Sequence, residues 1–89
     1  MDNYIICPNC GDDYVHHGVV EIFIQSEGCQ EKLHIVIDGS VHVDHDMKRN
    51  PSGRRQGIAI SLWCENCNQN SLLKLAQEKG RTAFWFEEV

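Results

Sequence analysis

The chain has 89 residues, a formal charge of −5 and five cysteines. Its length points to one domain whose core is marginal, burying only roughly 60–65% of the surface exposed on unfolding. The acidic balance opposes long-range attraction of nucleic acid. The start, "MDNYIICPNC", lacks the basic and apolar blocks of a secretory signal, and no apolar run nears the ~20 residues of a membrane span. A cytoplasmic, reduced protein is therefore expected.

The first feature along the chain is "ICPNCG", residues 6–11, with Cys7 and Cys10 two residues apart. Pro8 presets φ for a tight turn. Gly11 permits the positive φ that returns backbone N–H groups toward sulfur. Asp12 and Asp13 read as a solvated turn. "YII" looks like a strand entering this knuckle.

Period-two alternation then signals strands. In "HHGVVEIFIQS", Val20, Ile22 and Ile24 share one face, and Val19, Glu21 and Phe23 the other. A turn is expected at Gly28. "KLHIVIDGSVHVDH" alternates again, with Leu33, Ile35 and Ile37 opposite His34, Val36 and Asp38. Asp38-Gly39 is a strong hairpin signal, so this run reads as two short strands or as one bulged strand. The inserted strands cover about residues 19–45.

Residues 46–57, "DMKRNPSGRRQG", show no periodicity, and Pro51-Ser52-Gly53 marks a loop. "IAISLWC" is a further strand running into the second knuckle, residues 64–68, "CENCN". Asn68 takes the place of Gly11 and is the next most tolerant residue for positive φ. Residues 71–88 read as a hairpin turning at "EKGR" rather than as a helix. Trp63, Phe84, Trp85 and Phe86 are expected to pack mostly in the core. An exposed aromatic there would mark a partner surface.

Cys7, Cys10, Cys64 and Cys67 form C-x₂-C…C-x₂-C. Zinc prefers tetrahedral thiolate sulfur, and two such turns complete a tetrahedron. Residues 11–63 exceed the common spacing of this motif, but loop-closure cost grows slowly with length. Iron is the main alternative metal. A thioredoxin-type dithiol would sit at a helix N-terminus in a βαβ unit, which the pattern lacks, and a reduced compartment disfavours disulfides. Four protein ligands leave no position for water. The expected role is one structural Zn²⁺ per chain, in a protein that is not an enzyme.

These knuckles resemble the zinc-ribbon class. "RRQGIAISLWCENC" followed by "LLKLAQEKGRTAFWF" is similar to small, uncharacterised bacterial and phage Cys₄ zinc-ribbon proteins. The resemblance spans the first knuckle and roughly residues 54–86. It implies a β fold around one zinc and no assigned activity. The expected architecture is therefore mainly β: a small antiparallel domain of zinc-ribbon type with a β-hairpin insertion between two knuckles.

The remaining candidates carry less. Cys29 lies in a polar turn beside Glu27 and Glu31 and reads as a spectator thiol. His16, His17, His34, His42 and His45 read as surface or half-buried residues. A second metal site at His42 and Asp44 would need help from His34 across strands. Lys48, Arg49, Arg54 and Arg55 form a basic loop, either a phosphate or partner contact or a solvated segment, and a loop arginine could pair with Glu87 or Glu88. The function expected is a non-enzymatic binding module, with protein slightly favoured over nucleic acid as partner and no membrane role. The alternative is a redox-responsive or metal-handling thiolate protein.

Overall fold

A computed structural model of the chain describes residues 3–25 and 31–89. The expected turn at Gly28 and the spectator thiol Cys29 lie outside them. Six strands form one antiparallel sheet: β1 (Val15–Ile24), β2 (Leu33–Ile37), β3 (Val41–Asp44), β4 (Gly57–Cys64), β5 (Asn70–Glu78) and β6 (Arg81–Glu88). The spatial order is β3-β2-β1-β4-β5-β6, and no helix occurs among the described residues. Only neighbouring strands touch, so the sheet is a single open layer.

Period-two alternation sorts the side chains of all six strands onto two faces. One row across the sheet runs Val43, Ile35, Ile22, Ile58, Leu75, Phe84. The next row on that face runs Val41, Ile37, Val20, Ile60, Leu73, Phe86. The opposite face is mixed. One of its rows is His42, Val36, Glu21, Ala59, Lys74, Trp85, and another is Asp44, His34, Phe23, Gly57, Ala76, Ala83.

Burial does not follow side-chain size. Phe23, Ala59 and Ala76 of the mixed face are buried, whereas Ile58 and Ile60, central on the aliphatic face, stay half-exposed. The reason is the segment between β3 and β4, which crosses the mixed face. The Asn50 side chain donates to Arg55 O (2.9 Å) and accepts from Ser52 N (3.1 Å), closing the loop on itself. Ser52 Oγ donates to Gln77 O (3.2 Å), fastening the loop to β5. At Gly57 a Cβ would meet Asn50 Oδ1 at 2.2 Å and Pro51 Cδ at 2.8 Å, so only glycine lets the loop lie this low.

The hairpins fall where turn chemistry places them. Gly39 has φ +107° between β2 and β3, and Lys79 has φ 52° between β5 and β6. In β1 a bulge interrupts pairing with β4 between His17 and Val20. Ser61 Oγ accepts the Val19 amide there (2.7 Å).

Two expectations need correction. "YII" is not a strand, and Tyr4, Ile5 and Ile6 are exposed. The ladder positions beside β4 are already filled by β1 and β5, leaving this segment no edge near its knuckle. The aromatic residues are not core: Trp63, Phe84 and Phe86 are exposed and Trp85 is half-buried. Phe84 and Phe86 stand on an edge strand and on the face without a cover.

Candidate metal centre

The two knuckles are built alike. In the first, Gly11 N donates to Cys7 O (3.0 Å) and Cys7 N to Asp12 O (2.8 Å). In the second, Asn68 N donates to Cys64 O (3.0 Å) and Cys64 N to Gln69 O (3.2 Å). Each turn closes through a residue of positive φ, Gly11 at 82° and Asn68 at 59°. Asn68 pays less strain than other side chains there, and its Oδ1 accepts the Trp63 indole N–H (2.6 Å).

β1 leaves the first knuckle and β4 enters the second. They pair at Val15 and Cys64, which brings the knuckles together, and Glu65 N donating to Tyr14 O (3.0 Å) adds a link. Cys7 Sγ lies 3.6 Å from Cys67 Sγ, and Cys10 Sγ 3.6 Å from Cys64 Sγ. All four ligand atoms fall within 4.8 Å of one another. Sulfurs of a tetrahedron with Zn–S near 2.3 Å are about 3.8 Å apart, so the donor set fits one tetrahedral ion. The four thiols are unbonded to one another.

Hydrogen bonds and burial divide the thiols. The Asn66 amide, then the Asp12 backbone, hold Cys10 below the ordinary thiol value. The Asn9 hydrogen bond pulls Cys67 down to about 6. At Cys64 the Cys67 backbone bond acts downward, but burial and the neighbouring Cys10 and Cys67 sulfurs outweigh it and push the thiol up to about 11. Four sulfurs this close cannot all ionise without a cation between them. Cys7 and Cys64 are buried, while Cys10 reaches the surface. The donors all come from protein, leaving a tetrahedral ion no open coordination position.

The basic residues separate into two places. Lys48 and Arg49 wall a cleft of about 700 Å³ between the loop and the mixed face, with Glu21, Lys74, Trp85 and Glu87. Arg54 and Arg55 border another cavity of about 480 Å³, with Glu78, Lys79 and Arg81. Pro51 stands between the two groups. Arg49 forms an ion pair with Glu21, and Glu87 pairs with Lys74 (2.7 Å). Lys74, followed by the Trp85 indole N–H, holds the Glu87 carboxyl below its usual value. Of the two tail acids, Glu87 is held by a strand lysine, Lys74.

Among the described residues, the histidines enter no group of metal donors like the cysteines. His34 departs from the expectation of surface or half-buried histidines. It is buried, stacked on Phe23 at 4.5 Å between ring centroids, with Nδ1 2.7 Å from Asp44 Oδ1 and Nε2 3.6 Å from Glu21 Oε1. The Asp46 backbone amide, then His34, hold Asp44 below its ordinary carboxyl value. The sequence signal for this burial is the hairpin register, which sets His34 opposite Asp44.

Fold and cluster together define the class: a small, mainly β protein with four cysteines placed to hold a metal ion. No helix among the described residues is long and apolar enough to cross a membrane. No family model, curated protein or solved structure matches the chain.

Proposed function

We propose that the chain is a non-enzymatic binding module of zinc-ribbon type, stabilised by one Zn²⁺ at Cys7, Cys10, Cys64 and Cys67, with a protein as partner. The observation that carries it is the closed tetracysteine donor set, which leaves a tetrahedral metal no position for substrate. Zinc suits four thiolates in a tetrahedron; iron remains the competitor, and its coloured thiolate centre separates the two. The metal ties the first knuckle to the end of β4, and the sheet then presents the cleft.

A protein partner is favoured over nucleic acid on charge. Lys48, Arg49 and Lys74 are countered by Glu21 and Glu87 in one cleft, and Arg49 and Lys74 are already paired with those acids. Phosphate contact in this cleft would have to displace those pairs. Arg54 and Arg55, which line the neighbouring cavity with Glu78, Lys79 and Arg81, enter the charge-reversal test. Mixed charge around a half-buried tryptophan suits a peptide surface.

Two assays test this. The zinc-loaded chain should not retain labelled random single-stranded RNA or duplex DNA at physiological salt. Retention that falls steeply with salt and disappears on charge reversal of Lys48, Arg49, Arg54 and Arg55 would overturn the protein reading. Purification from native cells should recover a defined protein with it. Trp85→Ala and Lys74→Glu should abolish that recovery while one metal per chain is kept. Recovery indifferent to both changes would remove the cleft from the function.

A further inference from the structure

Among the described residues, two rows of the aliphatic face have no cover, although Leu62, farther along β4 on the same face toward the knuckles, is buried. The row Val43, Ile35, Ile22, Ile58, Leu75, Phe84 crosses all six strands, and neither it nor its neighbouring row carries a charge. Phe84 is 68% exposed, Val41 67% and Val43 58%. With Ile37 at 41% and Phe86 at 37%, the five most exposed side chains leave roughly 400–550 Å² open at about 150–200 Å² each, and the seven half-buried aliphatics of the two rows add to it. Single apolar patches on monomers reach about 300–600 Å². The per-partner share of a standard stable interface is about 800 Å².

We infer that this face docks against the same face of a second copy, making a two-fold symmetric β-sandwich with both clefts outside. Width selects the occupant. Six strands at about 4.8 Å spacing span ~24 Å, whereas a helix is about 10–12 Å across and covers roughly two strands. A second sheet stacks at about 10 Å and matches the full width. Charge agrees. Each chain carries −5, but the two rows contribute none of it, so no like charges are opposed across them; Glu88 stands in the next row of the same face. A two-fold axis needs only one self-complementary patch, which an uncharged aliphatic sheet face supplies. The division of burial has the same cause. Small Gly57, Ala59 and Ala76 receive the chain's own loop, while the bulky aliphatics are left for a partner of equal breadth. This inference is independent of the partner reading above, which uses the opposite face.

The test is the mass of the full metal-loaded chain in solution by sedimentation equilibrium. The expected result is a dimer, twice the 10.2 kDa of one chain. Phe84→Glu and Val43→Glu, at opposite edges of the face and already exposed, should each weaken dimerisation by ~30-fold or more. Both should keep the far-ultraviolet spectrum and one metal per chain. Isotope-filtered NMR on the unaltered chain should show contacts between Phe84 of one copy and aliphatic methyls of the other. A monomer at 100 micromolar would overturn the inference, as would a dimer that survives both substitutions or lacks these contacts. A monomer that instead binds phosphatidylcholine–phosphatidylglycerol vesicles, losing that binding with Phe84→Glu, would assign the face to lipid and equally overturn it.

Discussion

Replacing Gly57 by alanine tests whether the β3–β4 loop is part of the folded body. The new Cβ would lie 2.2 Å from Asn50 Oδ1 and 2.8 Å from Pro51 Cδ. Neither neighbour is the free end of a flexible chain. Asn50 is held by Arg55 O and Ser52 N, and Pro51 is a ring in the loop backbone. Relief therefore requires the loop to lift. Lifting forfeits the Ser52 Oγ–Gln77 O bond that fastens the loop to β5, at about 1 kcal/mol. Overpacking against Pro51 adds about 1–3 kcal/mol. The reduced freedom of the unfolded chain returns about 0.4–1 kcal/mol. A net loss of about 1–3 kcal/mol follows, which in a domain of this size lowers Tm by ~5 °C or more. Urea unfolding of the metal-loaded protein measures it. Gly53→Ala is the control, since a Cβ there meets nothing within 4 Å. Equal stability of the two variants would refute the docked loop.

Three further outcomes follow from the same geometry. Asn68→Ala places an ordinary side chain at φ 59° and removes the Trp63 partner, whereas Asn68→Gly removes only the partner. Alanine should therefore be the more damaging by about 1 kcal/mol in urea unfolding, and the reverse order would refute the second-knuckle geometry. Asp44 and Glu87 both have folded-state values below their ordinary ones. Their stabilisation is complete above the unfolded carboxyl range, about pH 4–4.5, and is lost as pH falls through the folded values. At fixed metal saturation, Asp44→Asn should flatten part of that acid slope, and an unchanged slope would contradict the His34–Asp44 contact. Chelation at neutral pH should abolish the cooperative unfolding transition, because zinc binding in small modules supplies about 10–16 kcal/mol, more than a core of this size provides. An unaltered transition after complete metal removal would show that the sheet stands alone.

How much was legible in the sequence depends on the range of the interaction. Period two is local, so β1, β2 and β4 could be read from alternation, and Asp38-Gly39 and Lys79-Gly80 marked their turns. The four cysteines were legible because each pair carries its own turn chemistry, Gly11 and Asn68 included. The strand order was not. β1 lies between β2 and β4, a pairing set by long-range register that no local pattern encodes. Which face the loop covers was also hidden. The small residues Gly57, Ala59 and Ala76 were the available sign, since they make room for a crossing backbone. The aromatics misled because hydrophobicity alone places them inside, whereas Phe84 and Phe86 stand on an edge strand facing outward. His34 needed a register before its burial between Asp44 and Glu21 could be seen.

The most direct measurement is elemental analysis of the chain purified under reducing conditions without added metal, paired with Cys64→Ser. One zinc per chain, lost or weakened by orders of magnitude in the variant, is the expected result. A folded, fully reduced chain that carries no metal, or one whose metal content is indifferent to Cys64→Ser, would contradict the tetracysteine centre.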